Sequence, residues 1–107
     1  MRCLDELTPG EAAEFIAIAH RIRALQRSVL NIEHVYYFYN EDTTHHFHLW
    51  MVPRYEWMRS FGRSVEALRP VLVHARDHMN SPDELAATVR CVEALRNALA
   101  ASPAPET

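Results

Sequence analysis

The stretch Thr43-Thr44-His45-His46-Phe47-His48-Leu49-Trp50-Met51-Val52-Pro53-Arg54 alternates histidine with apolar side chains and leaves through Pro-Arg. Successive side chains on a β-strand point to opposite faces. The spacing therefore predicts a strand over residues 44–52 that stops before Pro53. His46, His48 and Trp50 share its front. Phe47, Leu49 and Met51 share its back, where they can be buried. A polar row on a strand anchored from behind is a rigid mount for a functional imidazole. His45 has the opposite parity from His46 and His48 and reads as structural or turn-associated.

Upstream, Thr8-Pro9-Gly10-Glu11 is a capping box with proline at the first helical position. Phe15, Ile18, Ala19, Ile22, Leu25 and Val29 follow at helical spacing, which predicts one amphipathic helix to about Leu30. Residues 35–39 are dense in β-formers and predict the strand that pairs with the histidine strand. Asn40-Glu41-Asp42 supplies the turn.

Downstream, the chain crosses a loop containing Trp57, Met58 and Gly62. A helical stretch over 64–79 carries Val65, Leu68, Leu72, Ala75 and Met79, and Pro70 either kinks it or begins a second segment. Ser81-Pro82-Asp83-Glu84 repeats the capping arrangement ahead of a last helix bearing Leu85, Val89, Val92, Leu95 and Leu99. Residues 101–107 form a loose tail. The expected class is α+β, with a single domain over 1–100.

A chain of 107 residues accommodates one domain. With 49% hydrophobic and 23% charged residues it has the make-up of a folded, soluble protein. A net charge of −3 argues against a general nucleic-acid binder, which needs clustered positive charge. All eleven basic residues are arginine, so no lysine nucleophile or Schiff base is available. Cys3 and Cys91 are far apart and read as reduced thiols of a cytoplasmic protein. No signal peptide is visible, and no apolar run approaches the ~20 residues of a membrane span.

The stretch His46-Phe47-His48-Leu49-Trp50-Met51-Val52, followed by Pro53-Arg54, resembles the signature of the histidine triad family. That signature alternates three histidines with apolar residues and is commonly followed by Pro-Arg. The first two histidines are in place, and Trp50 stands where the third would be. A related branch has glutamine there. The order helix, strand, short turn, histidine strand is similar to the second half of a histidine triad domain over residues 4–58, with 59–100 as a helical extension. The family's further N-terminal strands have no counterpart here. The resemblance thus implies an antiparallel sheet with helices on one side of it, and either a missing N-terminal segment or a sheet completed in a homodimer.

The resemblance also implies a chemistry. The middle histidine, here His48, attacks the α-phosphorus of a nucleotide or dinucleotide and forms a covalent nucleotidyl-histidine. Neutral imidazole is a competent nucleophile near neutral pH. The family holds its other ring nitrogen with a backbone carbonyl. His46 would orient the ring or the phosphate, Thr43 would donate to a phosphate oxygen, and Arg54 could pair with phosphate. Trp50 can donate one hydrogen bond but cannot move a proton. No cofactor and no metal is called for. Implied substrates are diadenosine polyphosphates, nucleoside phosphoramidates or nucleotide sugars.

Other readings stand beside this one. The protein could bind nucleotides on the same fold without turnover, because of Trp50. His46 and His48 could instead ligate zinc, with a third ligand from Asp42 or Glu56. His74 and His78, one helical turn apart, could also hold a metal, although a solvated helix face explains them more simply. Tyr36, Tyr37, Phe38 and Tyr39 fit strand packing better than a base-stacking platform.

Overall fold

The structure is a computed structural model and describes residues 3–42, 44, 46–62 and 65–101; Thr43 and His45 lie outside the described residues. A short 3-10 turn, Leu4–Glu6, precedes helix α1, Pro9–Leu30. Strands β1, Val35–Phe38, and β2, Trp50–Pro53, follow. A 3-10 helix, Glu56–Phe61, leads into helices α2, Val65–His78, and α3, Pro82–Ala101. The class is α+β, mostly helical with one two-stranded antiparallel sheet. No helix among the described residues is long and apolar enough to cross a membrane.

Helix α1 begins as its sequence dictates. The Thr8 hydroxyl accepts from the Glu11 amide at 3.1 Å, and the Glu11 carboxylate accepts from the Thr8 amide at 2.9 Å. A reciprocal cap of this kind stabilises a helix by about 1 kcal/mol. The helix ends at Asn31, whose φ of 57° lies in the left-handed region that asparagine tolerates better than most residues. Arg23 donates to the carbonyls of Ile32 and Glu33, and Arg27 donates to that of Glu33. Those bonds fix the turn that aims the chain into β1.

Val35 pairs with Pro53, Tyr36 with Val52, Tyr37 with Met51 and Phe38 with Trp50. The ladder is shorter and lies further along the chain than the expected strand over 44–52. β1 ends at Phe38, so residues before Trp50 have no partner to pair with. Pro53 closes the ladder rather than lying beyond it. It can do so because an edge position does not require its missing N–H, and the Arg54 amide continues the pairing to the His34 carbonyl at 2.9 Å.

The two faces of the sheet meet different helices. On one face Phe47 packs edge-on against Phe15 of α1 with ring centroids 4.7 Å apart, and it also meets Tyr39. Leu49 and Met51 line an apolar hollow with Phe15, Ile18, Ala19 and Ile22. On the other face Leu68 and Leu72 of α2 share a pocket with Phe38, Trp50 and Val52. Helices therefore stand on both sides of the sheet, not on one side as expected. The sequence periodicity of α2 showed that it had an apolar stripe, but not which surface that stripe would meet.

Helix α2 runs through Pro70 without ending. Its Ala67 and Val71 are buried with Met58 of the 3-10 helix, flanked by Trp57 and Phe61. The expected loop after Tyr55 is thus partly a 3-10 helix that supplies core. Helix α3 lies along α1, and Arg21 of α1 donates to the Leu99 carbonyl at 3.1 Å.

The N-terminal turn is tied to the end of β1. The Leu4 amide lies 2.8 Å from the Tyr39 hydroxyl and 3.0 Å from the Glu41 carboxylate, and Tyr39 donates to that carboxylate. Burial and the Glu41 bond push the Tyr39 phenol up to about 12. The hydrogen bonds from Tyr39 and Leu4 hold Glu41 below its ordinary value of 4.5. A lowered carboxyl contributes stability that is complete above its unfolded value and lost as pH falls through its folded value. Glu41→Gln should therefore lower the melting temperature at neutral pH, and its deficit should vanish as pH falls well below 4.5. A deficit constant with pH in a calorimetric series would refute this account of the clamp.

Candidate functional site

His48 is the centre of the candidate site. It lies ahead of the hydrogen-bonded ladder, since β2 begins at Trp50. Its direction is set by its neighbours: Phe47 and Leu49 are directed toward α1, so alternation turns His48 to the opposite face. There it lines an open pocket of about 310 Å3 with Phe38, Asn40, Trp50, Val52, Leu68 and Leu72. The direct pairing of Phe38 with Trp50 puts these two aromatic residues side by side in the pocket wall.

The orientation of the ring follows from one hydrogen bond. His48 Nδ1 lies 2.8 Å from the backbone carbonyl of His46. A carbonyl oxygen only accepts, so Nδ1 carries the proton in this bond. In the neutral ring Nε2 is then the nitrogen with the lone pair. This is the tautomer a nucleophilic imidazole requires when it attacks through Nε2. His46 takes part through its backbone; its side chain is exposed and is not among the described residues lining the pocket.

The pocket is chemically sparse. Five of its described wall residues are apolar, and Asn40 joins His48 as a polar member. The Asn40 amide donates to the Asp42 carboxylate at 2.8 Å. Trp50 is 51% exposed and Leu72 is 45% exposed, so the apolar wall opens to solvent and is accessible to a ligand.

Not every expected site residue gathers here. Thr43 lies outside the described residues. Arg54 has the same parity as His48 but lines a separate polar cleft with Glu33, His34, Tyr55, Glu56 and Arg59. His48 and Arg54 thus line different cavities. Phe38, read from the sequence as strand packing rather than a stacking platform, lines the pocket, and Asn40, Leu68 and Leu72 join it without a signal that marked them as site residues. The i, i+4 spacing of Leu68 and Leu72 signalled a buried stripe but not its partner.

The metal readings gain no ligand set. Among the described residues, the histidine, cysteine and carboxylate groups close enough to share an ion are Cys3, Asp5 and Glu41, which include neither His46 nor His48. The His74 and His78 rings are 5.1 Å apart, and His74 packs against Trp57 and Phe61, giving an aromatic cluster beside the core of α2.

No family model, no curated protein sequence and no solved structure matches this chain. The functional reading therefore rests on the residues and their geometry.

The bond to His46 makes a direct prediction. Long-range proton–nitrogen NMR spectra at a pH where the ring is neutral should show His48 with the proton on Nδ1. A ring protonated at Nε2 would remove the basis for reading this nitrogen as a nucleophile.

Proposed function

We propose that the protein is a nucleotide phosphoester or phosphoanhydride hydrolase, or a nucleotidyltransferase, of the histidine triad kind, with His48 as nucleophile. The observation that carries this reading is the 2.8 Å contact between His48 Nδ1 and the His46 carbonyl, made by an imidazole that lines a pocket. It supports an arrangement in which Nε2 forms a bond to phosphorus and a covalent nucleotidyl-histidine results. Water or a second acceptor then displaces the histidine.

Trp50 supplies an indole N–H and a flat apolar face where the family signature has its third histidine. The pocket walls suit the planar, weakly polar part of a nucleotide or of its leaving group. We place Arg54 outside this first contact, given its position in the other cleft. A second copy of the chain completing the sheet is part of the proposal. Both strands of a two-stranded sheet leave one edge unpaired, and such a sheet is marginal alone. Sedimentation should find a dimer, and a monomer at all micromolar concentrations would sink that part.

The nucleophile is tested with the purified chain and a panel of nucleoside monophosphate esters and dinucleoside polyphosphates. Intact-mass spectra should show a nucleotidyl adduct on the wild-type protein and none on His48→Ala, with turnover lower by several orders of magnitude. Nucleotide binding should survive: ligand at 100 times its dissociation constant adds about 2.7 kcal/mol to stability. A variant that turns over at the wild-type rate would overturn the assignment. Retained binding with no adduct on either protein would instead favour a nucleotide-binding protein without turnover.

A further inference from the structure

We infer that Trp50 confines the reaction at His48 to leaving groups that depart as weakly basic oxyanions, so that aryl esters and phosphoanhydrides of a nucleotide react while P–N bonds and alkyl esters do not. The inference rests on the nucleotidyl-histidine reading above and specifies its substrate class. It comes from the composition of the pocket. Among the described lining residues, His48 is the single titratable side chain; Phe38, Trp50, Val52, Leu68, Leu72 and the Asn40 amide cannot exchange a proton near neutral pH.

The chemistry follows from counting protons. The Nε2 lone pair forms a bond to phosphorus, and the bond to the leaving atom breaks with its electron pair on that atom. Phosphoryl transfer runs in line, so the leaving atom departs on the side opposite the attacking ring. The proton on Nδ1 is held by the His46 carbonyl and belongs to that attacking ring. It is therefore on the wrong side to reach the leaving atom. The Trp50 indole N–H can steady a departing oxyanion with a hydrogen bond but keeps its proton.

A phenolate or phosphate oxygen is stable in water with that electron pair and needs no proton. An amine nitrogen or alkoxide oxygen is far more basic and must be protonated as the bond breaks. In the second step water attacks phosphorus, the electron pair of the P–N bond returns to Nε2, and the water proton passes to solvent. That step does not involve the leaving group, so selection falls entirely on the first.

The exposed position of Trp50 suits this role. At 51% exposure it lines the pocket while remaining open to solvent. The adjoining walls, Leu68 and Leu72, offer a departing group apolar contact but no charge.

The experiment compares three derivatives of each of AMP, GMP and UMP: the p-nitrophenyl ester, the methyl ester and an alkyl phosphoramidate. The rate of nucleotidyl-histidine formation is read by rapid-quench intact mass. Wild-type protein should react with a nitrophenyl ester at least ~10,000-fold faster than with the matching amidate or methyl ester. Trp50→His should narrow that gap by ~100-fold or more, the usual scale of general acid assistance. Circular dichroism checks that the variant is folded, and the wild-type series still tests the substrate class if it is not. Wild-type rates on the amidate within ~10-fold of those on the nitrophenyl ester would overturn the inference while leaving His48 as nucleophile. An unchanged gap in a folded Trp50→His protein would overturn the role of Trp50. No adduct from any nitrophenyl ester would overturn the nucleotidyl-histidine reading and this inference with it.

Discussion

The seating of Phe47 against Phe15 and Tyr39 is the contact on which the rest of the site depends. The residues just before Trp50 lie outside the hydrogen-bonded ladder, so the sheet itself does not orient them. Phe47 and Leu49 do so by binding to the apolar stripe of α1. With two alternate side chains held behind, the intervening imidazole faces forward, and its Nδ1 meets the carbonyl two residues back. The edge-on aromatic contact and the apolar surface that Phe47 and Leu49 remove from water hold this segment in place. Position and tautomer of His48 thus trace to packing on the opposite side of the chain.

This division of labour explains how the site is made with little core. Few side chains are buried: Ile32, Met58, Ala67 and Val71 are the apolar ones among the described residues. Local bonds supply much of the order, including the reciprocal cap at Thr8 and Glu11 and the arginine bonds that close the turn after α1. Apolar side chains of α2 and α3 remain open to solvent, among them Leu72, Val73, Leu85, Val89 and Val92. The fold has a positioned strand segment at its centre and incompletely covered helices around it.

What the sequence made legible is what short-range periodicity encodes. The caps, the three long helices, the antiparallel pair and the opposed parities of Phe47 and His48 all follow from spacings of two or about 3.6 residues. The ladder over Trp50–Pro53 was not legible, because its extent depends on where β1 stops. Nor were the far wall of the pocket or the separation of Arg54 from His48. The wall requires α2 to pack over one particular face. For Arg54, parity gives the direction of a side chain but not its distance along the strand, and the polar cleft it lines is built from residues flanking both strands.

Pro70 bears on the pocket as well as on the helix that contains it. It lies between Leu68 and Leu72, the two wall residues contributed by α2. Lacking an N–H, it cannot bond to the Glu66 carbonyl, so one rung of the helix is missing just behind that wall. A helix bends most easily where its ladder is interrupted. The Leu68 and Leu72 wall is therefore carried on a stretch of α2 whose backbone ladder is interrupted.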